Sequence, residues 1–292
     1  MSTPTHNPLA SSEGDAADRA LVERAVEGSR DALRMLVERH QPFVYNIALK
    51  MFGQHEDAQD LTQEVFVKVI TSLETFRHES ALRTWLYRVT VNHFLKTRRR
   101  AMELSVDDFE HYFDSIAAVP DEEPSDTYGP SEETTEELRL RCTSGMLMCL
   151  DRPQRMVFIL GALFGISHQD GAAVLGISPG NFRVRLHRAR KDLYSWMNQR
   201  CGLVNASNPC RCRKKTQGYV RQGVVDPQRF LFNADYVVRI ESLTRRDAAH
   251  AMKTVDDLHE RVFLSHPLAA SGTSVVDEIL QNDTLRSFFD FA

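Results

Sequence analysis

The sequence predicts an all-α protein: two helical domains joined by an acidic linker and followed by a mainly helical C-terminal extension. Three observations lead there. Apolar residues recur at helical spacing of 3 and 4 before residue 100 and again after residue 150. A short helix, a tight Gly turn and a longer basic helix follow one another around Gly176. Between these blocks, Ala101 to Glu137 holds thirteen Asp and Glu and no Lys or Arg. The net charge is -4, so removing that -13 leaves +9 for the rest of the chain. The acidity belongs to one linker.

The expected organisation is a disordered tail over 1–20, a first helical domain over 21–101, a flexible linker over 102–140, a helix-turn-helix domain over 141–198 and an extension over 199–292. The start, "MSTPTHNPLASSEGDAAD", is polar and small, with neither the basic start nor the apolar core of a secretory signal. No run of eighteen apolar residues is present, so no membrane insertion is expected. Five cysteines in 292 residues do not make a disulfide framework, and a cytoplasmic location is expected.

In the first block, "DALRMLVERHQPFVYNIALKMFG" places Leu33, Leu36, Val37, Val44, Ile47, Ala48 and Met51 at helical spacing. Pro42 is expected to start a second segment and Gly53 to stop it. "HEDAQDLTQEVFVKVITSL" follows, with Leu61, Val65, Phe66, Val69, Ile70 and Leu73 inward and Glu56, Asp57 and Asp60 at its start, where the helix dipole favours acids. Its other face, with Gln63, Glu64 and Lys68, reads as solvated.

A helix capped by Ser80 is then expected through Arg100, with Leu82, Trp85, Leu86, Val89 and His93 inward. Along one flank run Trp85, Arg88, Asn92, Lys96 and Arg99, at steps of 3, 4, 4 and 3. Cations neutralise phosphates, an amide reads a base edge and an aromatic stacks on an unpaired base, so the stripe suits nucleic acid. The alternative is a basic face covered by water or by the linker.

In the second block, "LDRPQRMVFILGALFG" reads as a helix capped by Asp151, with Met156, Ile159, Leu160 and Leu163 in the core. "SHQD" opens a short helix, and Ser178 with Pro179 opens the next. There Phe182, Leu186, Ala189, Leu193 and Trp196 point inward, and Asn181, Val184, Arg185, His187, Arg188 and Lys191 outward. This is a helix-turn-helix with its recognition helix over 179–197. Arg and Asn near that helix start reach base edges, and later cations hold phosphate.

Together, "DAQDLTQEVFVKVI", "FRHESALRTWLYRVTVN" and "LFGISHQDGAAVLGISPGNFRVRLHRARKDL" resemble the sigma-70 family, and within it the extracytoplasmic-function (ECF) group of bacterial sigma factors. The resemblance implies a sigma2-like domain and a sigma4-like domain, with bacterial core RNA polymerase and promoter DNA as partners. It assigns Asp57, Asp60, Leu61, Gln63, Glu64 and Phe66 to docking on the clamp helices of the polymerase large subunit. It assigns "FRHESALR" to a pocket for a flipped base of the minus-ten element, read and held by Asn92 with Arg88 and Lys96. Asn181, Arg185 and Arg188, with Lys191 beside them, are assigned to the minus-35 element. The linker is then expected to thread basic polymerase channels or to shield the basic helices of the free protein. Where the family usually has Glu-Ile-Ala, this chain has Asp170, Gly171 and Ala172.

The extension has no counterpart in a typical ECF factor. Cys201, Cys210 and Cys212 form a C-x8-C-x-C pattern that suits zinc or copper(I), a redox-active thiol cluster, or plain packing. His250, His259 and His266 are further donors, whereas Cys142 and Cys149 read as core. "RDAAHAMKTVDDLHERVFL" and "SVVDEILQNDTLRSFFDF" read as amphipathic helices that inhibit the protein, bind an anti-sigma or accessory protein, or add stability. No enzyme is expected: no phosphate-binding Gly loop or G-x-S-x-G is present, and "HERVFLSH" has the wrong spacing for a metal site. No cofactor is required by the expected function. The rival is a helix-turn-helix regulator that does not act as a sigma subunit.

Overall fold

The computed structural model describes residues 12–123 and 129–228, with the backbone alone at 12–14. The two amphipathic stretches expected near the C-terminus, and the three histidines, lie outside the described residues. Among the described residues all regular structure is helical apart from a single bridge between Cys201 and Cys210. These residues divide into two compact units, one comprising 12–100 and 152–186, the other 101–151 and 187–228.

The first unit opens with α1 (Ser12–Val26), where the sequence suggested a tail to residue 20. It buries Leu21, Val22 and Ala25, and its Asp18 carboxylate, fully buried, lies 3.3 Å from both Arg39 and His40. Arg83 stands 4.0 Å from Asp18 and donates to Asp15 at 2.5 Å. A buried carboxylate is tolerable only with such partners, and here they anchor the helix.

Helix α2 (Arg30–Phe52) starts at Ser29, whose hydroxyl accepts the Ala32 N–H, and stops at Gly53, whose φ of 78° lets its N–H reach the Leu49 carbonyl. Pro42 does not divide it. A proline inside a helix costs about 3 kcal/mol, yet Leu33, Leu36 and Val37 before it and Val44, Ile47 and Met51 after it are all buried. That burial keeps one continuous helix, and Asn46 donates to the Pro42 carbonyl. Lys50 is buried on the same helix, and burial lowers its pKa to about 7.

Helix α3 (His55–Thr71) packs on α2 through Leu61, Val65, Phe66, Val69 and Ile70. After a 3-10 turn at Leu73–Thr75, α4 spans Leu82–Lys96. Ser80 does not cap it: the cap position is Ala81, and the Ser80 hydroxyl donates to the Ala81 carbonyl. Nor does α4 reach Arg100, because the chain turns extended at Thr97. Its core face is centred on Leu86, Tyr87, Val91 and Phe94, while Trp85, Val89 and His93 flank it half-buried.

After the linker the chain returns to the same unit in α8 (Arg152–Phe158) and a π-turn over Ile159–Leu163. Arg152 donates to the carbonyls of Phe94, Thr97 and Arg98, closing the end of α4 with a cation where the helix dipole favours one. Helix α9 (His168–Leu175) is capped by Ser167 and ends at Gly176, with φ 65°. It packs on α4 and presents Gly171 to the ring of Phe182, on α10 (Pro179–Arg200). A Cβ at 171 would lie 2.4 Å from that ring, so the sequence departure at Gly171 is the space Phe182 occupies.

In the second unit, the stretch expected to be a flexible connector contains α5 (Ala101–Leu104) and α6 (Phe109–Ala118). Asp108 caps α6, accepting the His111 N–H at 2.8 Å. Phe113 and Ile116 are buried, and Phe109 and Phe113 lie nearly parallel to Trp196, with centroids 6.1 and 6.0 Å away. This apolar stripe outweighs the acidic composition around it. Helix α7 (Glu132–Met148) follows, capped by Ser131, with Glu136 and Glu137 buried against Arg139 and Arg141.

The beginning of the extension folds back here as a turn and α11 (Cys212–Arg221), packed on α7. Lys215 is buried; it donates to the carbonyls of Ala117 and Val119 and pairs with Asp121 at 3.2 Å. Lys214 pairs with Glu123, and Arg221 with Glu122 at 2.8 Å. These linker acids thus meet α11. One acid of α6, Asp114, stands 3.7 Å from Arg200 at the end of α10.

Candidate nucleic-acid interface

Helix α4 carries Arg88, Asn92 and Lys96 exposed at four-residue steps, as its spacing requires. At the head of the stripe, Trp85 is half-buried against Phe76, with centroids 5.4 Å apart. Phe76 also meets His78, at 4.7 Å, and His78 adopts the left-handed φ of 56° that non-glycine residues seldom take. The loop "FRHESALR" therefore turns sharply beside Trp85. Arg99 does not belong to the stripe, because it lies beyond the helix end. Arg88 is already engaged: its guanidinium donates to the Ala173 carbonyl of α9 at 2.9 Å.

The outer side of α3 is tied to the end of α4. Arg100 stands 3.5 Å from Asp57 and 3.5 Å from Glu64. His93 bridges the two helices, its Nδ1 2.6 Å from Lys68 Nζ and its Nε2 2.9 Å from Glu64. Burial and then the Lys68 charge push the His93 pKa down, against Glu64, which pulls it up. A neutral imidazole accepting from Lys68 and donating to Glu64 fits both contacts. Asp60 and Glu64 are exposed and Asp57 and Gln63 half-exposed, but Leu61 and Phe66 are completely buried. Those two hold α3 on the core instead of offering a docking surface.

On α10, Phe182, Leu186, Ala189 and Leu193 form the buried face, with Trp196 half-buried beside it. Asn181, Arg188 and Lys191 are exposed; Arg185, half-exposed, is held by Asn181, its Nε donating to Oδ1 at 2.9 Å. Arg183 and Val184 are exposed on the same helix. Sequence reasoning passed over Arg183, a cation in the first turns of a recognition helix and recognisable there by that position.

Of the three cysteines of the extension, Cys201 and Cys210 are bridged through the backbone and Cys212 opens α11, which packs on α7, the helix of the half-buried Cys142. Among the described residues, no three His, Cys, Asp or Glu side chains already stand in a metal-holding group. Among them, too, no helix is long and apolar enough to cross a membrane.

Sigma-70 region 2 matches residues 36–103, which hold α3 and α4, and Sigma-70, region 4 matches residues 140–193, which hold α9 and most of α10. The ECF RNA polymerase sigma-E factor of Escherichia coli is 32% identical over 181 residues, covering 60% of this chain and 92% of that one. The chain belongs to the ECF sigma factor family. Another relative, RNA polymerase sigma factor NccH of Alcaligenes xylosoxydans xylosoxydans, is 30% identical over a match that covers 61% of this chain and 93% of that one. The ECF RNA polymerase sigma factor SigE of Mycolicibacterium smegmatis is 31% identical, and the match spans 60% of its length. Among solved structures, CnrH in complex with the cytosolic domain of CnrY aligns with 62% of this chain at a TM-score of 0.45 and 27% identity. The cysteine turn and α11 lie beyond both matched regions of this ECF factor.

Proposed function

We infer that this ECF factor is a sigma subunit that binds core RNA polymerase and directs it to promoter DNA. The observation that carries the reading is the presence, in one chain and in family order, of two helices with outward nucleic-acid residues. These are α4 with Arg88, Asn92 and Lys96, and α10 with Asn181, Arg188 and Lys191. A plain helix-turn-helix regulator would leave the region 2 match and the α4 stripe without a use.

In this reading α10 lies in the major groove of the minus-35 element. Asn181 and Arg185 enter as one hydrogen-bonded unit, and Arg188 and Lys191 take phosphates or base edges further along. The α4 stripe holds the minus-ten strand: Asn92 reads a base, Arg88 and Lys96 neutralise phosphates, and Trp85 beside the strained His78 loop forms one wall for an unstacked base. Asp57, Asp60, Gln63 and Glu64 of α3 meet polymerase. The protein supplies recognition and no chemical step of its own, since bond formation belongs to the polymerase.

Run-off transcription from bacterial promoter fragments, with core polymerase in the presence and absence of the chain, tests this. New start sites that weaken as salt rises support it. Absence of transcripts together with absence of binding to core would discard it. Arg188→Ala is expected to cost about 1–3 kcal/mol at promoters with an intact minus-35 element.

A further inference from the structure

The buried face of α10 fixes what its opposite face presents. Phe182, Leu186 and Ala189 point into the core, and Val184 stands two residues beyond Phe182, about 200° round the helix. Val184 therefore projects farthest from the core, at the position that enters a groove first. It is 50% exposed, and it is the only exposed large hydrophobic side chain of α10 among the described residues. A scattered exposed valine on another surface would need no explanation. This one occupies the centre of a face whose edges are long and polar, with Arg183 and His187 on one side and Asn181 and Arg188 on the other. Its β-branched side chain also lowers helix propensity without packing in return. Gly180 lies one turn earlier on the same face. Its φ is not left-handed, and a Cβ there would find open space, the nearest contact being Ser178 Oγ at 4.0 Å. Neither backbone conformation nor packing calls for glycine at that position. What it leaves is a low centre between two tall edges.

We propose that Gly180 and Val184 form an apolar reading strip in which Val184 covers the C5-methyl group of a thymine in the minus-35 element, a specificity that rests on the sigma reading above. In the major groove thymine is the base that shows a methyl group, and apolar side chains are the groups that recognise it. Valine is short, so its methyls reach a base edge only if the helix backbone comes close. Gly180 allows this by placing no side chain between the first turn and the groove. Cytosine at the same step would present an amino donor to the valine and leave it unpaired, so thymine is preferred there. The polar edges do the rest of the recognition. Asn181 and Arg185, joined at 2.9 Å, enter with fixed orientation on one flank, and Arg188 follows on that side.

The test uses core polymerase with the full-length chain, at limiting holoenzyme, on a promoter pool whose minus-35 region is randomised. The transcribed fragments are sequenced, and each selected thymine is replaced in turn by deoxyuridine, which removes the methyl group and leaves base pairing intact. At one thymine the replacement is expected to lower wild-type output roughly fourfold, the worth of one buried methyl group. With Val184→Ser it is expected to have little effect, and Val184→Ile should keep the penalty. Gly180→Gln is expected to lower output from the same fragments without lowering thermal stability, because the added side chain meets open space in the free protein. Equal deoxyuridine effects in wild type and Val184→Ser, or a selected element without thymine, would overturn the inference and leave the sigma reading standing. Loss of core binding by Val184→Ser in the absence of DNA would do the same, by making the valine a polymerase contact. No selected transcripts with the wild-type chain would overturn both.

Discussion

Arg88 of α4 donates to the main-chain carbonyl of Ala173 on α9, 2.9 Å away. A cation proposed to hold DNA is therefore occupied, in the free protein, by the first helix of the helix-turn-helix. Ala173 is exposed, so its side chain can be changed without disturbing the core. Ala173→Glu adds an anion beside Arg88 and is expected to weaken binding of single-stranded minus-ten DNA; Ala173→Lys is expected to strengthen it. Exposed charge pairs are worth about 0.2–1 kcal/mol, so each shift is a few-fold at most. The two variants should differ less in an Arg88→Ala background, and fluorescence titration in both backgrounds checks this.

Lys50 is buried, and its pKa falls from 10.5 to about 7. Between those values the unfolded chain binds more protons than the folded one, so stability rises with pH and is lost on going down to about 7. The slope is about 1.4 kcal/mol per pH unit. The effect is best read between about pH 7 and 7.5, before unfolded cysteines, whose ordinary pKa is about 8.5, begin to titrate appreciably. Lys50→Met is expected to stabilise the protein near pH 7 and to remove this rise. Denaturant unfolding at several pH values measures the difference, and equal slopes would show that Lys50 keeps its ordinary pKa.

Lys215 is the inner contact between α11 and the linker. Lys215→Met keeps the apolar stem but leaves the carbonyls of Ala117 and Val119 without this donor, at a cost of about 1–3 kcal/mol. Amide exchange over residues 117–123 should quicken in the variant. Asp121→Asn should have a smaller effect, because that carboxylate is about half exposed. Unchanged exchange in the lysine variant would mean that α11 does not hold the linker.

Gly171 and Phe182 fill one volume. Alanine at 171 gains about 1 kcal/mol of helix propensity over glycine, but its Cβ would meet the ring at 2.4 Å, and overpacking costs about 1–3 kcal/mol. A net loss is expected for Gly171→Ala. Combined with Phe182→Leu, the loss should be smaller than the sum of the single changes, which a thermal-unfolding cycle measures.

Much of this architecture was legible because its signals are local. Gly53, Ser167 with Gly176, and Ser178 mark helix ends by their own hydrogen bonds. The buried face of α10 repeats at fixed steps. What escaped depends on partners distant in sequence. Helix α1 is anchored by Asp18 on Arg39, His40 and Arg83, a polar contact that apolar periodicity does not register. Helix α6 is hidden by its acidic surroundings until Phe113 is seen against Trp196. Leu61 and Phe66 share a helix with the outward acids, and family resemblance did not separate the two faces.

The chain has two tryptophans, and they fall one to each compact unit. Trp196 lies beside Phe109 and Phe113 with Arg200 5.9 Å from its ring, whereas Trp85 sits half-exposed against Phe76. The molecule thus contains a native optical reporter for each half. Trp85→Phe leaves emission from the second unit alone, and Trp196→Phe leaves emission from the first. The melting of each half, and the quenching of Trp85 as an unpaired base arrives, can then be watched separately without attaching a dye.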